Sequence, residues 1–164
     1  MSSLYVTTSR KPSQLTRRLA RWLALLLSAK AENRGKRSVS DVEARAANFG
    51  CTRVLFLHEA NGNPSKLSFY GKEGWLEPEI AVSSAEVPAK EKAKIRLPRD
   101  VSVIAEGKDP ALKEEIKHLL DLDEPETEDA VELHLKNNAL WFEYDGRKIG
   151  PSLRISASKV SEQK

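Results

Sequence analysis

VLFLHEANGNPSKLSFY, residues Val54 to Tyr70, is a β-hairpin written out in full. Val54 to Leu57 is continuously apolar, which predicts a central strand covered on both faces. Asn61-Gly62-Asn63-Pro64 then turns the chain, and Lys66 to Tyr70 predicts the returning strand. Just upstream, Ser40 and Glu43 have the S-x-x-E spacing of a capping box, and Gly50 suits the position after a helix end. Together they predict a helix from Asp41 to Phe49. Further upstream, Ser13 is an N-cap for a helix running to about Ala29, with Leu15, Leu19, Trp22, Leu23 and Leu26 on one face and Arg17, Arg18 and Arg21 toward the other. Pro12 holds Lys11 extended, and the β-branched end of Leu4 to Thr8 predicts a first strand.

Downstream, Gly71 to Pro98 carries a weak strand at Ile80 to Ser83 and a solvated charge run, Lys90 to Lys94, and is expected to be a connector. Val101 to Ala105 predicts a strand, and Asp109 caps a helix with Pro110 at its first position and Leu112, Ile116, Leu119 and Leu120 inward. Val131, Leu133 and Leu135 alternate with polar residues, Asn137-Asn138 turns, and Leu140 to Tyr144 returns. Strand, helix, strand, hairpin, strand thus occurs twice. The expectation is an α/β fold: one domain, 1–164, of two similar small lobes, about 1–85 and 95–160, from an internal duplication.

At 164 residues and 40% hydrophobic the chain can bury a core. The single Cys51 cannot form an internal disulfide, which points to an intracellular protein with a buried structural thiol. Its longest apolar run, Trp22 to Leu27, is far short of the roughly 20 residues of a membrane span. Met1 to Val6 lacks the pattern of a secretory signal, so the expectation is a protein made and kept inside the cell, with no membrane partner.

Charge is divided unevenly. Residues 1–75 carry 13 Lys and Arg against 5 Asp and Glu, net +8, whereas residues 76–164 carry 14 against 19, net −5. A cationic half calls for a polyanion such as RNA. Its cations concentrate in two tracts. Ser9-Arg10-Lys11 lies between a strand end and a helix start, where free N–H groups and the helix dipole favour an anion. Asn33-Arg34-Gly35-Lys36-Arg37-Ser38 combines three cations with a glycine that lets backbone approach a phosphate, without the spacing of a nucleotide-binding P-loop. Arg10, Lys11, Arg34, Lys36 and Arg37 are therefore the candidates for holding phosphates, with Ser9, Asn33 and His58 nearby for polar contacts.

His58, His118 and His134 do not approach metal-ligand or triad spacing, so neither a metal nor another cofactor is expected. His134 and His118 read as solvated, while His58 ends the central strand, where sites form. Trp75, Trp141, Phe142 and Tyr144 can be core or can stack unpaired bases. An enzyme would need Ser9 or Thr8 as nucleophile and His58 as base, and nothing in the sequence orients that pair. The acidic second lobe fits a basic protein partner.

The T-S-R-K-P-S opening, the N-R-G-K-R-S loop, the E-x-x-G-N-P turn at Glu59 to Pro64 and the late Gly150-Pro151, in that order, resemble the Brix-domain family of ribosome-biogenesis proteins, including the Brix-domain component of the small-subunit processome. The resemblance implies paired α/β lobes related to the anticodon-binding domain of class IIa aminoacyl-tRNA synthetases, with a groove for RNA. It also implies a non-catalytic role in pre-rRNA processing and small-subunit assembly, with rRNA or pre-rRNA and other assembly or ribosomal proteins as partners. Without long extra segments the chain resembles the compact archaeal form, which implies a cytoplasmic monomer; a eukaryotic member would be nucleolar.

Overall fold

In the computed structural model, which describes residues 3–89, 96–106 and 110–158, the chain runs as β1 (Leu4–Thr8), α1 (Gln14–Leu26), β2 (Lys30–Ala31), α2 (Val39–Asn48), β3 (Arg53–Ala60), β4 (Asn63–Gly71), β5 (Gly74–Trp75), β6 (Glu79–Glu86), β7 (Asp100–Glu106), α3 (Pro110–Leu119), β8 (Ala130–Lys136), β9 (Ala139–Tyr144) and β10 (Arg147–Ser158). The charge run at 90–94 and the proposed cap Asp109 fall mostly or wholly outside the described residues.

Three hairpins close through two-residue turns with both φ angles positive: Asn61-Gly62, Asn137-Asn138 and Asp145-Gly146. That geometry matches the right-handed twist of the flanking strands and favours Asn, Asp and Gly, the residues least penalised there. Pro64 does not end in the turn but sits in β4 opposite Glu59, beside a bulge between His58 and Glu59.

Two helix boundaries differ from expectation. α1 stops at Leu26 because Ser28 turns left-handed (φ 53°) and the Ala29 N–H closes onto the Ala24 carbonyl. This frees Lys30 and Ala31 to pair with β1 as an edge strand. Thr16 is buried on the inner face, while Leu15 is only half-buried. The α2 capping box is Ser38 and Asp41, not Ser40 and Glu43. Ser38 Oγ accepts from the Asp41 N–H at 3.1 Å and the Asp41 carboxylate accepts from the Ser38 N–H at 3.3 Å, which places Ser40 already inside the helix.

The strands form one sheet in the order β2-β1-β3-β4-β6-β10-β9-β8-β7, with β5 paired to β4. β1 and β3 are parallel, followed by antiparallel β4 and β6; β7 and β8 are parallel, followed by antiparallel β9 and β10. The same sequence of pairings thus occurs in both halves, and β6 joins β10 to make the sheet continuous. The segment expected to be a connector therefore supplies a central strand, β6.

One continuous core lies under α1 and α3, uniting Leu19, Leu23, Leu26, Leu55, Leu57, Phe69 and Ile80 with Ile116, Leu133, Phe142 and Leu153. Among the helices described, α2 packs on the opposite face, over Tyr5, Val54 and Phe56. Alternation along β3 sends Leu55 and Leu57 to one core and Val54 and Phe56 to the other, so that strand is covered on both faces as its apolar run predicts.

Gly150 ties the last strand to the first helix. It has φ +73°, and a Cβ built on it would lie 2.8 Å from Leu26 Cδ1 and 3.2 Å from Trp22 Cε3. A bulge between Ile149 and Ser152 of β10 produces this approach.

Candidate nucleic-acid interface

β2, β1 and β3 are mutually parallel, so their carboxyl ends open onto one edge of the sheet. Ser9 to Lys11 follow β1, the Asn33 to Ser38 loop follows β2, and His58 stands near the end of β3. The outer side of the carboxyl ends of parallel strands is where open α/β sheets bind ligands.

Glu32 anchors the start of the basic loop. Arg45 grips its carboxylate with two hydrogen bonds, 2.8 and 2.7 Å, and the Tyr5 hydroxyl adds one at 2.7 Å. Thr7 Oγ1 donates to its carbonyl at 2.8 Å. The Arg45 guanidinium holds Glu32 down to about 2, and burial, with Glu32 beside it, pushes Tyr5 up to about 12.

Within the loop, Arg34 Nε donates to the Arg37 carbonyl and Arg37 Nη1 to the Asn33 carbonyl, both at 2.9 Å. The Arg34 guanidinium lies 5.4 Å from the Phe56 ring centre, a cation–π contact that fixes its position. Burial and the neighbouring charge of Arg10 both lower the Arg34 pKa. Among the described residues no carboxylate forms an ion pair with Arg10, Lys11, Arg34, Lys36 or Arg37. Arg10, Lys11 and Lys36 are exposed.

A shallow groove of about 380 Å³ runs between α1 and this loop, lined by Thr8, Arg17, Arg21, Glu32, Asn33 and Arg37 among others. Arg17 and Arg21 were legible only as the outer face of α1. Their four-residue spacing on the helix that joins the two tracts is the signal that places them together.

Among the described residues neither His58 Nε2 nor Ser9 Oγ, both buried, has a hydrogen-bond partner. Burial, then Lys66, with Arg34 also contributing, lowers the His58 pKa against the opposing pull of Glu79. The charge of Arg34 therefore acts on His58, as that of Arg10 acts on Arg34, and the structure brings these three candidates to one place. Thr8 is fully buried and its hydroxyl donates to the Ser9 carbonyl at 2.9 Å. No hydrogen bond joins Ser9 or Thr8 to His58.

The start of α1 is not the free anion site that the sequence predicts. Glu59 of the E-x-x-G-N-P turn accepts from the Ser13 N–H at 3.0 Å and from Thr16 Oγ1 at 2.6 Å, while Ser13 Oγ caps the Thr16 N–H at 3.2 Å. An internal carboxylate thus already sits on the positive end of α1, and the capping box occupies that of α2. Cation side chains, not helix ends, are left to meet an anion.

Of the four aromatics singled out from sequence, Trp75 is the exposed one, at 46%. Phe142 is core, Tyr144 donates to Asp129 Oδ1 at 2.9 Å, and Trp141 stacks on His134 at 5.2 Å. His134 is not solvated as expected: its side chain is 13% exposed, with Glu132 at 3.1 Å and Glu143 at 3.6 Å. These three bring possible metal ligands within 4.8 Å of one another, although each is already engaged, Glu143 also taking the Trp141 indole N–H at 2.8 Å. Cys51 is half-buried, its thiol directed at the Leu4 carbonyl and its pKa raised by burial. No helix among the described residues is long and apolar enough to cross a membrane.

No protein-family model matches the chain. A probable Brix domain-containing ribosomal biogenesis protein of Methanothermobacter thermautotrophicus is 38% identical over 73 residues, 43% of this chain and 43% of the relative. One from Archaeoglobus fulgidus is 39% identical over 80 residues, 48% of this chain and 49% of the relative. The sequence match thus spans about half the length of these curated relatives. In fold, the crystal structure of a probable ribosomal biogenesis protein from Aeropyrum pernix K1 superposes with a TM-score of 0.80 at 22% identity, covering 97% of each chain. An archaeal Imp4-like protein superposes with a TM-score of 0.69 at 26% identity, covering 92% of this chain and 95% of the other. The resemblance to the Brix-domain family holds in sequence over nearly half of the chain, and nearly the whole chain shares its fold with a probable ribosomal biogenesis protein and an archaeal Imp4-like protein.

Proposed function

We propose that this chain, a relative of the archaeal Brix domain-containing ribosomal biogenesis proteins, is a non-catalytic RNA-binding assembly factor that acts on rRNA or pre-rRNA in small-subunit assembly. The observation that carries the reading is the Arg10–Arg34 pair: two neighbouring cations with no acidic partner among the described residues, one braced on Phe56, at the carboxyl edge of three parallel strands. Confining like charges there costs free energy that a phosphate recovers. Arg17, Arg21 and Arg37 line the adjoining groove and extend the cationic track.

Such a factor needs no nucleophile. It acts by binding one rRNA pairing more tightly than another, and only that difference shifts the population. The absence of any hydrogen bond from Ser9 or Thr8 to His58 fits a binding role better than hydrolysis. Replacing Arg34, Lys36 and Arg37 together with Ala should weaken rRNA binding and flatten its salt dependence, since each lost phosphate contact removes close to one counterion from the slope. Unchanged affinity and slope would remove this loop from the interface.

A second reading concerns residues 76–164, net −5. Among the described residues the sheet face opposite α1 and α3 carries no helix in this half, and it presents Glu132 and Glu143. It suits a basic ribosomal protein, and an association with such a protein that survives nuclease treatment is the test.

A further inference from the structure

Trp75 is held in place yet open. The two-residue strand β5 pairs it with Tyr70, whose ring meets it edge-on at 5.1 Å and 88°, and the Phe56 ring lies 5.3 Å away at 52°. Two aromatic contacts fix the indole while 46% of the residue stays exposed. An indole held against two rings with nearly half of its surface open leaves a fixed aromatic face on which a partner can stack.

The surroundings say which. Phe56 is shared: Trp75 packs on it, the Arg34 guanidinium lies 5.4 Å from its centre, and His58 stacks on it at 6.4 Å and 26°. Strand alternation puts Phe56 and His58 of β3 on the same sheet face as Lys66 and Tyr70 of β4. An open indole and an arginine with no acidic partner among the described residues thus both contact one buried ring. A flat apolar surface beside a cation complements a nucleotide, which presents a base face and a phosphate together.

We propose that Trp75 is a stacking platform for an unpaired base whose strand is held at Arg34, so that this site takes single-stranded or bulged RNA in preference to continuous duplex. The inference rests on the RNA-binding reading and narrows it. Base faces within a duplex are covered by their neighbours, and only an unstacked nucleotide can offer one to an indole.

The test uses the full chain and two probes, a single-stranded RNA oligonucleotide and the same strand annealed to its complement. Trp75→Ala should weaken single-strand binding by roughly tenfold or more, in line with the loss of one base–aromatic stack, and leave duplex binding nearly unchanged; Trp75→Phe should retain most of the affinity. Indole fluorescence should be quenched by the single strand in the wild type, and most of that quenching should vanish in Trp75→Phe, which separates Trp75 from Trp22 and Trp141. Equal single-strand affinity for wild type and Trp75→Ala, or quenching that persists in Trp75→Phe, overturns the proposal while leaving RNA binding through the arginines intact. Wild-type protein that binds neither probe overturns the underlying reading as well. If Trp75→Ala does not fold, the fluorescence comparison decides alone.

Discussion

The carboxylate of Glu59 accepts a hydrogen bond from the Thr16 hydroxyl at 2.6 Å, so the β3–β4 turn is fastened to the first turn of α1. Thr16 is fully buried, and the same carboxylate oxygen accepts from the Ser13 N–H. One residue therefore sets the angle at which α1 leaves the Ser9 to Lys11 segment.

The Thr16 and Ser13 hydrogen bonds hold Glu59 below its ordinary value of 4.5. Its contribution to stability is thus fully present above that pH and is lost as pH falls through the lower folded-state value. Glu59→Gln should cost about 1–2 kcal/mol at neutral pH, the worth of a charge-assisted hydrogen bond. Urea unfolding at neutral pH and again well below the unfolded value should show the gap from wild type closing. A gap of constant size would mean that the charge is not used.

Gly150→Ala should be among the most damaging single-methyl additions in the chain. The new carbon would meet Leu26 Cδ1 at 2.8 Å while φ is +73°, and strain of the left-handed backbone and overpacking together cost about 2–4 kcal/mol. By contrast, Gly35→Ala, at φ +60° with open space around the new carbon, should lose only the backbone part. Comparing the two melting temperatures separates close packing from dihedral strain.

His58 is kept neutral by burial and by the charges of Lys66 and Arg34, against the opposing pull of Glu79. A depressed histidine contributes stability above its unfolded value near 6.5, and that stability is lost as pH drops below it. A phosphate arriving at Arg34 would offset the cations and raise the His58 pKa. RNA affinity should therefore tighten as pH falls from 7.5 toward 6, and proton NMR should show the His58 imidazole titrating higher with RNA bound. Identical titration curves with and without RNA would place the phosphate elsewhere.

Arg17→Ala with Arg21→Ala should reduce RNA affinity and its salt slope with little change in melting temperature. Both side chains are exposed on α1, and exposed charges contribute little to stability, while both border the groove beside the basic loop. Affinity equal to wild type would confine the interface to the loop itself.

The hairpins turning at Asn61-Gly62 and Asn137-Asn138 were readable because everything that defines them is local: a period of two, an apolar run and a turn built of Asn and Gly; the Asp145-Gly146 hairpin went unread. β2 was not, because two residues have no period, and Lys30 and Ala31 are a strand only through the β1 edge beside them. The α2 cap was misplaced by two residues since Ser38-Asp41 and Ser40-Glu43 share one spacing, and only the point where the loop turns into the helix distinguishes them. β6 looked weak on its own composition; β4 and β10, distant in sequence, stabilise it from either side. At the site, the cations could be named in advance, because charge needs no partner to be noticed. The roles of Arg17, Arg21 and Glu59 depend on what lies across from them, and so does the difference between Trp75, open, and Trp141, stacked on His134.

β10 is the last of the described strands to be synthesised, yet it lies inside the sheet between β6 and β9. Until it leaves the ribosome, both neighbours are unsatisfied edges, and the Gly150 contact that seats β10 against α1 cannot form. The first half can complete its local pairings early, while the sheet is sealed only by its final strand. Until that strand is seated the chain exposes two ready templates for strand addition, so its closure rests on the insertion of one late segment.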